Sequence, residues 1–208
     1  MTKRIAVIMA ALLLPAAAAE AAFHLGLRGG YTLFMDKSYA GAPAYGLSLG
    51  FDLARNLSLE LSGTRFESSV TASADGLSAG RLALMPLEIA VEARFPLGDG
   101  KLAAFGGFGG GFGFTSFTLD STSAAGWTAV GFAVAEKVQS TACLCAAAGL
   151  EYAVSRTSVL RLEARYRLMK PSGTWSITDL LSGEKISGTL DKLSLDSLTI
   201  GLAVRMGL

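Results

Sequence analysis

The stretch Pro86 to Phe114, PLEIAVEARFPLGDGKLAAFGGFGGGFGF, sets periodicity, turn length and environment in one unbroken piece of chain. Leu87, Ile89, Val91, Ala93 and Phe95 share one parity, and Glu88, Ala90, Glu92 and Arg94 share the other. That is the period of a strand with two unlike faces, one apolar and one charged. Pro96 to Lys101 supplies a Gly/Asp/Pro turn. Beyond it, Phe108, Phe112 and Phe114 alternate with Gly107, Gly109, Gly111 and Gly113, so the second strand has a bulky face and an almost empty one. Glycine weakens an ordinary strand, which implies that something else fills the empty side, here the charged side chains of neighbouring strands. A closed barrel with a crowded polar interior and a lipid-facing exterior satisfies both strands.

The same alternation recurs in eight segments, at 23–34, 44–53, 57–66, about 82–95, 102–114, about 141–154, 158–170 and about 195–208. The first, third, fifth and seventh connections are long (35–43, 67–80, 115–138 and 171–191), whereas the other three are minimal turns. This asymmetry predicts an all-β, transmembrane, antiparallel up-and-down β-barrel of eight strands, with long loops outside the cell and short turns in the periplasm. Ten strands result if 115–138 contributes an extra hairpin. Trp127, Val130, Phe132 and Val134 already indicate that this connection is not wholly irregular.

Lys3 and Arg4, the apolar run 5–14 and the small residues of 16–19 have the three parts of a secretory signal peptide. Cleavage after Ala19, or as late as Ala22, leaves 20–208 as a single barrel domain in the bacterial outer membrane. Losing Lys3 and Arg4 takes the basic count from 18 to 16 against 17 acidic residues. A near-neutral chain carries no nucleic-acid footprint. Beyond the leader no apolar run approaches the ~20 residues of a membrane helix. The chain is nevertheless 51% hydrophobic, with its apolar residues spread by alternation.

Cys143 and Cys145 are neighbours on one face of a strand, near the upper limit of disulfide spacing, and are expected as thiols packed like small apolar residues. Two cysteines and one histidine are too few soft ligands for a metal site, and no cofactor is expected. The only histidine, His24, stands at the start of the mature chain, far from any nucleophile–base arrangement, so an enzyme is not expected.

The inward parity collects Arg28, Glu60, Glu88, Glu92, Arg94, Glu151, Arg161, Glu163, Arg165, Arg167 and Arg205. Charges of both signs facing one narrow interior must pair, because an unpaired buried charge is costly to desolvate. They form either a plug or the lining of a selective path, since an eight-stranded barrel is barely wider inside than its own side chains. Leu84, Pro86 and Phe105 are inward and apolar, and are the candidate solute path; Pro86 lacks a ladder donor and so could mark a break between strands. Tyr31, Phe34, Tyr45, Phe51, Phe95, Phe112, Phe114, Tyr152 and Tyr166 fall toward strand ends, as membrane girdles do.

PLEIAVEARFPLG at Pro86 to Gly98, GLEYAVS at Gly149 to Ser155 and LEARYRLM at Leu162 to Met169 resemble the eight-stranded outer-membrane barrels related to OmpW and the OmpA transmembrane domain. The resemblance implies a monomer held in outer-membrane lipid and inserted by the barrel-assembly machinery. It also implies a narrow channel or carrier for small hydrophobic solutes, which enter from outside and leave laterally through the wall. The alternative is a plugged barrel whose loops 115–138 and 171–191 bind extracellular host ligands. Such families end in an aromatic residue read during assembly; here the last residue is Leu208, with Ile200, Leu202, Val204 and Met206 keeping the apolar alternation.

Overall fold

The computed structural model describes residues 23–71, 77–98, 100–190 and 193–207. The leader at 1–19, the later cleavage point at Ala22, part of the third connection and Leu208 lie outside the described residues. In chain order the elements are β1 (Phe23–Phe34), β2 (Ala42–Ala54), β3 (Leu57–Val70), β4 (Gly80–Leu97), β5 (Leu102–Leu119), α1 (Ser121–Ala129) and β6 (Phe132–Val138). They continue with β7 (Thr141–Ala153), β8 (Ser158–Met169), β9 (Gly173–Asp179), β10 (Lys185–Leu190) and β11 (Ser197–Gly207).

Eight strands close into an antiparallel barrel in the order β1-β11-β8-β7-β5-β4-β3-β2, with β1 pairing back onto β2. The ten-strand alternative is corrected: β6 pairs with β9, not with a barrel strand, and β6, β9 and β10 form a separate three-stranded sheet. Thus the two longest connections meet each other. β3, β4 and β5 also run further than their apolar alternation suggests, to Val70, from Gly80 and to Leu119. Main-chain pairing continues there after the outward face has turned polar.

Burial follows the parity. Leu160, Leu162, Tyr166 and Leu168 on β8 are exposed on the outside, whereas Arg161, Arg165, Arg167 and Met169 are buried inside. On β4 the outward apolar run goes from Met85 to Phe95. Those ten residue steps span about 33 Å along the strand, or about 25 Å after a tilt of roughly 40°, the height of a membrane-barrel apolar band. Phe34 departs from the expected girdle. Its ring lies 5.8 Å from Phe66 and 5.4 Å from Tyr39, as part of the interior packing.

The glycine face of β5 is filled differently from the expectation. At Gly107 an added Cβ would meet both the charged neighbour, Glu92 Cγ at 2.8 Å, and the β4 backbone, Val91 O at 2.8 Å. At Gly109 and Gly111 it would collide with the β4 backbone, 2.6 Å from Ala90 Cα and 2.8 Å from Glu88 Cα. The wall therefore coils tightly between β4 and β5, and the backbone itself takes the space. Gly111→Ala is accordingly expected to lower the urea midpoint of the folded barrel. Outward Gly106, whose nearest neighbour would be 4.0 Å away, should accept alanine without loss. Equal midpoints for the two variants would refute this account of the wall.

The small sheet is built locally. Asp120 caps α1 by accepting from Thr122 N at 3.0 Å, and Gly131 at φ +88° turns the chain into β6. In the β9–β10 turn, the Asp179 carboxylate accepts the N–H groups of Leu181 at 2.7 Å and Ser182 at 3.2 Å, which hold its pKa below the usual range.

Candidate functional site

The lumen has two storeys, and the inward residues of β3, β4 and β8 switch character along the strand. On β4 the inward positions read Leu82, Leu84, Pro86, then Glu88, Ala90, Glu92 and Arg94; on β3 they read Ser58, Glu60, Ser62, Thr64, then Phe66. The charged part lies toward the short-turn end and the apolar part toward the long-loop end.

The charged storey is centred on Glu60, which reaches across the barrel to β1, β8 and β11. Its carboxylate accepts from Arg28 at 2.6 Å, Arg165 at 2.8 Å and Arg161 at 3.1 Å, and it also pairs with Arg205. Glu88 takes Arg167 Nε at 2.8 Å and Arg165 at 3.1 Å. Glu92 takes Arg205 at 2.8 Å and Arg161 at 2.9 Å. Glu163 takes Arg165 Nε at 2.8 Å. Nearest the short turns, Glu151 meets Arg205 at 3.1 Å and Arg94 at 3.2 Å, and Arg94 meets Asp52 at 3.1 Å.

All eleven inward charges singled out above thus join one connected network, and Asp52 joins them. Six arginines (28, 94, 161, 165, 167, 205) balance six carboxylates (52, 60, 88, 92, 151, 163), so the interior is neutral. Hydroxyls complete it: Arg165 donates to Ser62 at 3.0 Å and Arg167 to Thr199 at 2.7 Å, with Thr32 a further 2.8 Å from Thr199. A cavity of about 20 Å³ bounded in part by Arg28, Thr64, Glu163, Arg167 and Thr199 is only large enough for a single water. Glu60, Glu92 and Glu163 hold carboxylate oxygens within 4.8 Å of one another, the spacing of a cation site. The arginines already neutralise those oxygens, so a cation would have to displace them.

The three candidate path residues separate. Phe105 is buried under the Arg161 guanidinium, 3.4 Å from its ring centroid, deep in the charged storey. Pro86 pairs with Gly113, eight positions along β5 from Phe105, a separation of about 26 Å. Phe105 therefore serves the ion network by a cation–π contact. Pro86 stands instead at the boundary between storeys, and Leu84 just above it in the apolar one. His24 lies inside against Gly50, and its Nε2 has no hydrogen-bond partner among the described residues.

The apolar storey packs Phe66, Leu82, Leu84, Cys143 and Met169 from the barrel with Tyr39, Leu77, Leu190, Leu193 and Leu195 from the connections. Both cysteines are free and buried there or just beneath. The connections form a roof. Ala40 N donates to Ser69 O at 2.9 Å, Ser78 N to Glu136 at 3.0 Å and Gln139 N to Ser172 O at 2.8 Å. Sequence reading found only Leu84 and the buried thiol of Cys143 in this storey. Its signal was the run of inward apolar residues at the long-loop ends of β3, β4 and β8.

At the boundary the wall is interrupted. β3 and β4 pair at Gly63–Leu87 and again at Phe66–Leu84, but not at Thr64 and Arg65 opposite Pro86 and Met85. Proline has no N–H to give, so the ladder loses a bond where the lumen changes from charged to apolar. Outside the same seam runs an apolar groove of about 500 Å³ bordered by Tyr45, Leu47, Leu61, Gly63, Arg65, Met85 and Leu87.

The sequence profile of a family described as outer membrane protein beta-barrel domain matches residues 5–205. No curated protein matches the chain in sequence. Among solved structures, OprG from Pseudomonas aeruginosa is similar, with a TM-score of 0.63 at 17% identity, over 89% of this chain and 97% of that one. Neisserial surface protein A gives 0.59 at 13% identity, over 90% and 97%. A major outer membrane protein from Thermus thermophilus gives 0.55 at 16% identity, over 91% and 100%. These likenesses concern the fold.

Proposed function

The chain belongs to the outer-membrane β-barrel family, and from that premise we propose that it carries small apolar solutes from outside the cell into the bilayer through its wall. One observation carries the reading: the lumen is apolar at the long-loop end, packed with ion pairs at the short-turn end, and the ladder between β3 and β4 is unpaired at Pro86, where the two meet. The loops face outward in this reading, after removal of the leader at 1–19. A solute admitted between roof residues such as Leu193 and Leu195 meets Phe66 and Leu84 and finds a neutral, tightly bonded floor below it. Passing that floor means breaking buried ion pairs. The seam at Met85 and Pro86 leads instead to the apolar groove outside, so transfer to lipid needs no aqueous pore.

Uptake of a small alkane-like solute and of a charged one by liposomes holding the barrel tests this directly. The apolar solute is expected to enter faster than into empty vesicles, the charged one is not, and planar bilayers should show no steady conductance. Pro86→Val returns an N–H to the seam and should slow apolar uptake several-fold while leaving the folded gel mobility unchanged. Steady ion conductance without apolar uptake would overturn the reading.

The three-stranded sheet supports a second reading, display of a binding surface. Leu181 is 95% exposed, Ile186 67% and Val130 64%, on a part of the molecule outside the barrel. Removing 173–190 should then abolish binding to host surfaces while the barrel still folds. Unchanged binding would remove this alternative.

A further inference from the structure

The outward face of three adjacent strands changes at one level. β3 passes from Leu61 and Gly63 to Arg65, Glu67 and Ser69; β4 from Leu87 and Met85 to Ala83 and Arg81; β5 from Phe112 and Phe114 to Ser116 and Thr118. The hydrocarbon therefore ends at the row holding Arg65, Met85 and Phe114, and Arg65 and Arg81 stand at headgroup depth. Glu67 accepts from Arg65 at 2.6 Å, and the register sets Ser69 opposite Arg81 and Glu67 opposite Ala83. Arg65, Arg81 and Glu67 lie on one outward patch, and these three side chains together carry one positive charge.

Directly beneath, the apolar groove runs from Leu25 and Leu49 up to Arg65, its only charged border among the described residues. Glycine at 63 keeps the trough open: Leu87 Cδ2 lies only 2.9 Å from the place where a Cβ would stand. Lipid fills any concavity on a barrel wall, but this one is capped by cations at the depth of a lipid phosphate. The charge selects the occupant. A neutral lipid would leave Arg81 and the excess positive charge of the patch uncompensated, a soluble phosphate would not use the groove, and a protein partner does not reach below the headgroups.

We propose that this wall holds a phosphate-bearing lipid of the outer leaflet, with one saturated acyl chain lying over Gly63 and its phosphate between Arg65 and Arg81. The site rests on the outward-facing loops of the proposed function and stands whether or not solutes cross the seam. If they do, the bound chain occupies their outlet and must be displaced.

Native mass spectrometry of the intact barrel in neutral detergent, with hexa-acyl lipid A or its dephosphorylated form added, tests the site. One lipid A per barrel is expected, with retention falling on the order of 10-fold on dephosphorylation, as two cations near a lipid phosphate imply. The double variant Arg65→Gln with Arg81→Gln should lose as much. Gly63→Leu should abolish retention, and Leu61→Trp fills the same trough should the first variant not fold; heat-dependent gel mobility reports folding in each. Retention indifferent to the phosphate, to both arginines or to a filled groove would overturn the proposal. Displacement by millimolar inorganic phosphate would also overturn it, in favour of a free-anion site. Solute uptake plays no part in the readout, so loss of transport and loss of lipid binding are separate results.

Discussion

Glu60→Gln is expected to cost the folded barrel about 3–5 kcal/mol, the range for removing one partner of a buried charge network. Glu60 is fully buried and faces Arg28, Arg161, Arg165 and Arg205, so an amide leaves the lumen with six arginines against five carboxylates. The remaining carboxylates cannot cover the deficit, because Glu88, Glu92 and Glu163 already serve two or more arginines each. Urea unfolding in vesicles, followed by fluorescence of Trp175 as it leaves the apolar core, gives the number. Adding Arg28→Gln restores neutrality and should recover part of the loss. A single variant as stable as the parent would mean that the network does not hold the wall together.

Ala164→Arg should cost about 2–4 kcal/mol, the penalty for arginine at the bilayer midplane. Ala164 is outward, midway between Leu160 and Leu168 on β8, with Ala148 and Ile200 as its cross-strand neighbours. Ser116→Arg, on the outward face of β5 beyond Phe114, should cost about 0–1 kcal/mol, since an arginine there reaches the headgroups. Refolding yield into short-chain lipid vesicles and urea midpoints measure both. Similar losses at the two positions would place the apolar band at the wrong height on the barrel.

Where the chain was legible, a one-dimensional period carried the information. Alternation of Leu160, Leu162 and Leu168 with Arg161, Arg165 and Arg167 assigns every residue to lipid or lumen before any contact is known, because successive side chains of a strand point to opposite faces. The segment at 23–34 coincides with β1, and the minimal turns coincide with the short-turn end of the barrel. Parity also brought the lumen charges together, since a barrel of eight strands has only one interior.

Height along the barrel was much less legible. Phe105 and Pro86 share a parity yet stand at opposite ends of the lumen, because stagger between strands depends on register and not on local sequence. The β4 backbone takes up the space beside Gly109 and Gly111, which no alternation pattern reveals.

By its own order of residues this sequence determined a lipid-facing barrel of alternating strands with a charged interior, since a period of two and a bilayer's demand for paired backbone leave few other folds. Only the tertiary structure decided that six cations meet six anions around Glu60, that an apolar storey is roofed above them, and that 132–138 joins 173–190 in a second sheet. The physical reason is range. A face is set by adjacent residues, whereas a partner across the lumen is set by closure of the whole wall, and Arg28 and Glu163, 135 residues apart, become neighbours only when β1 and β11 meet.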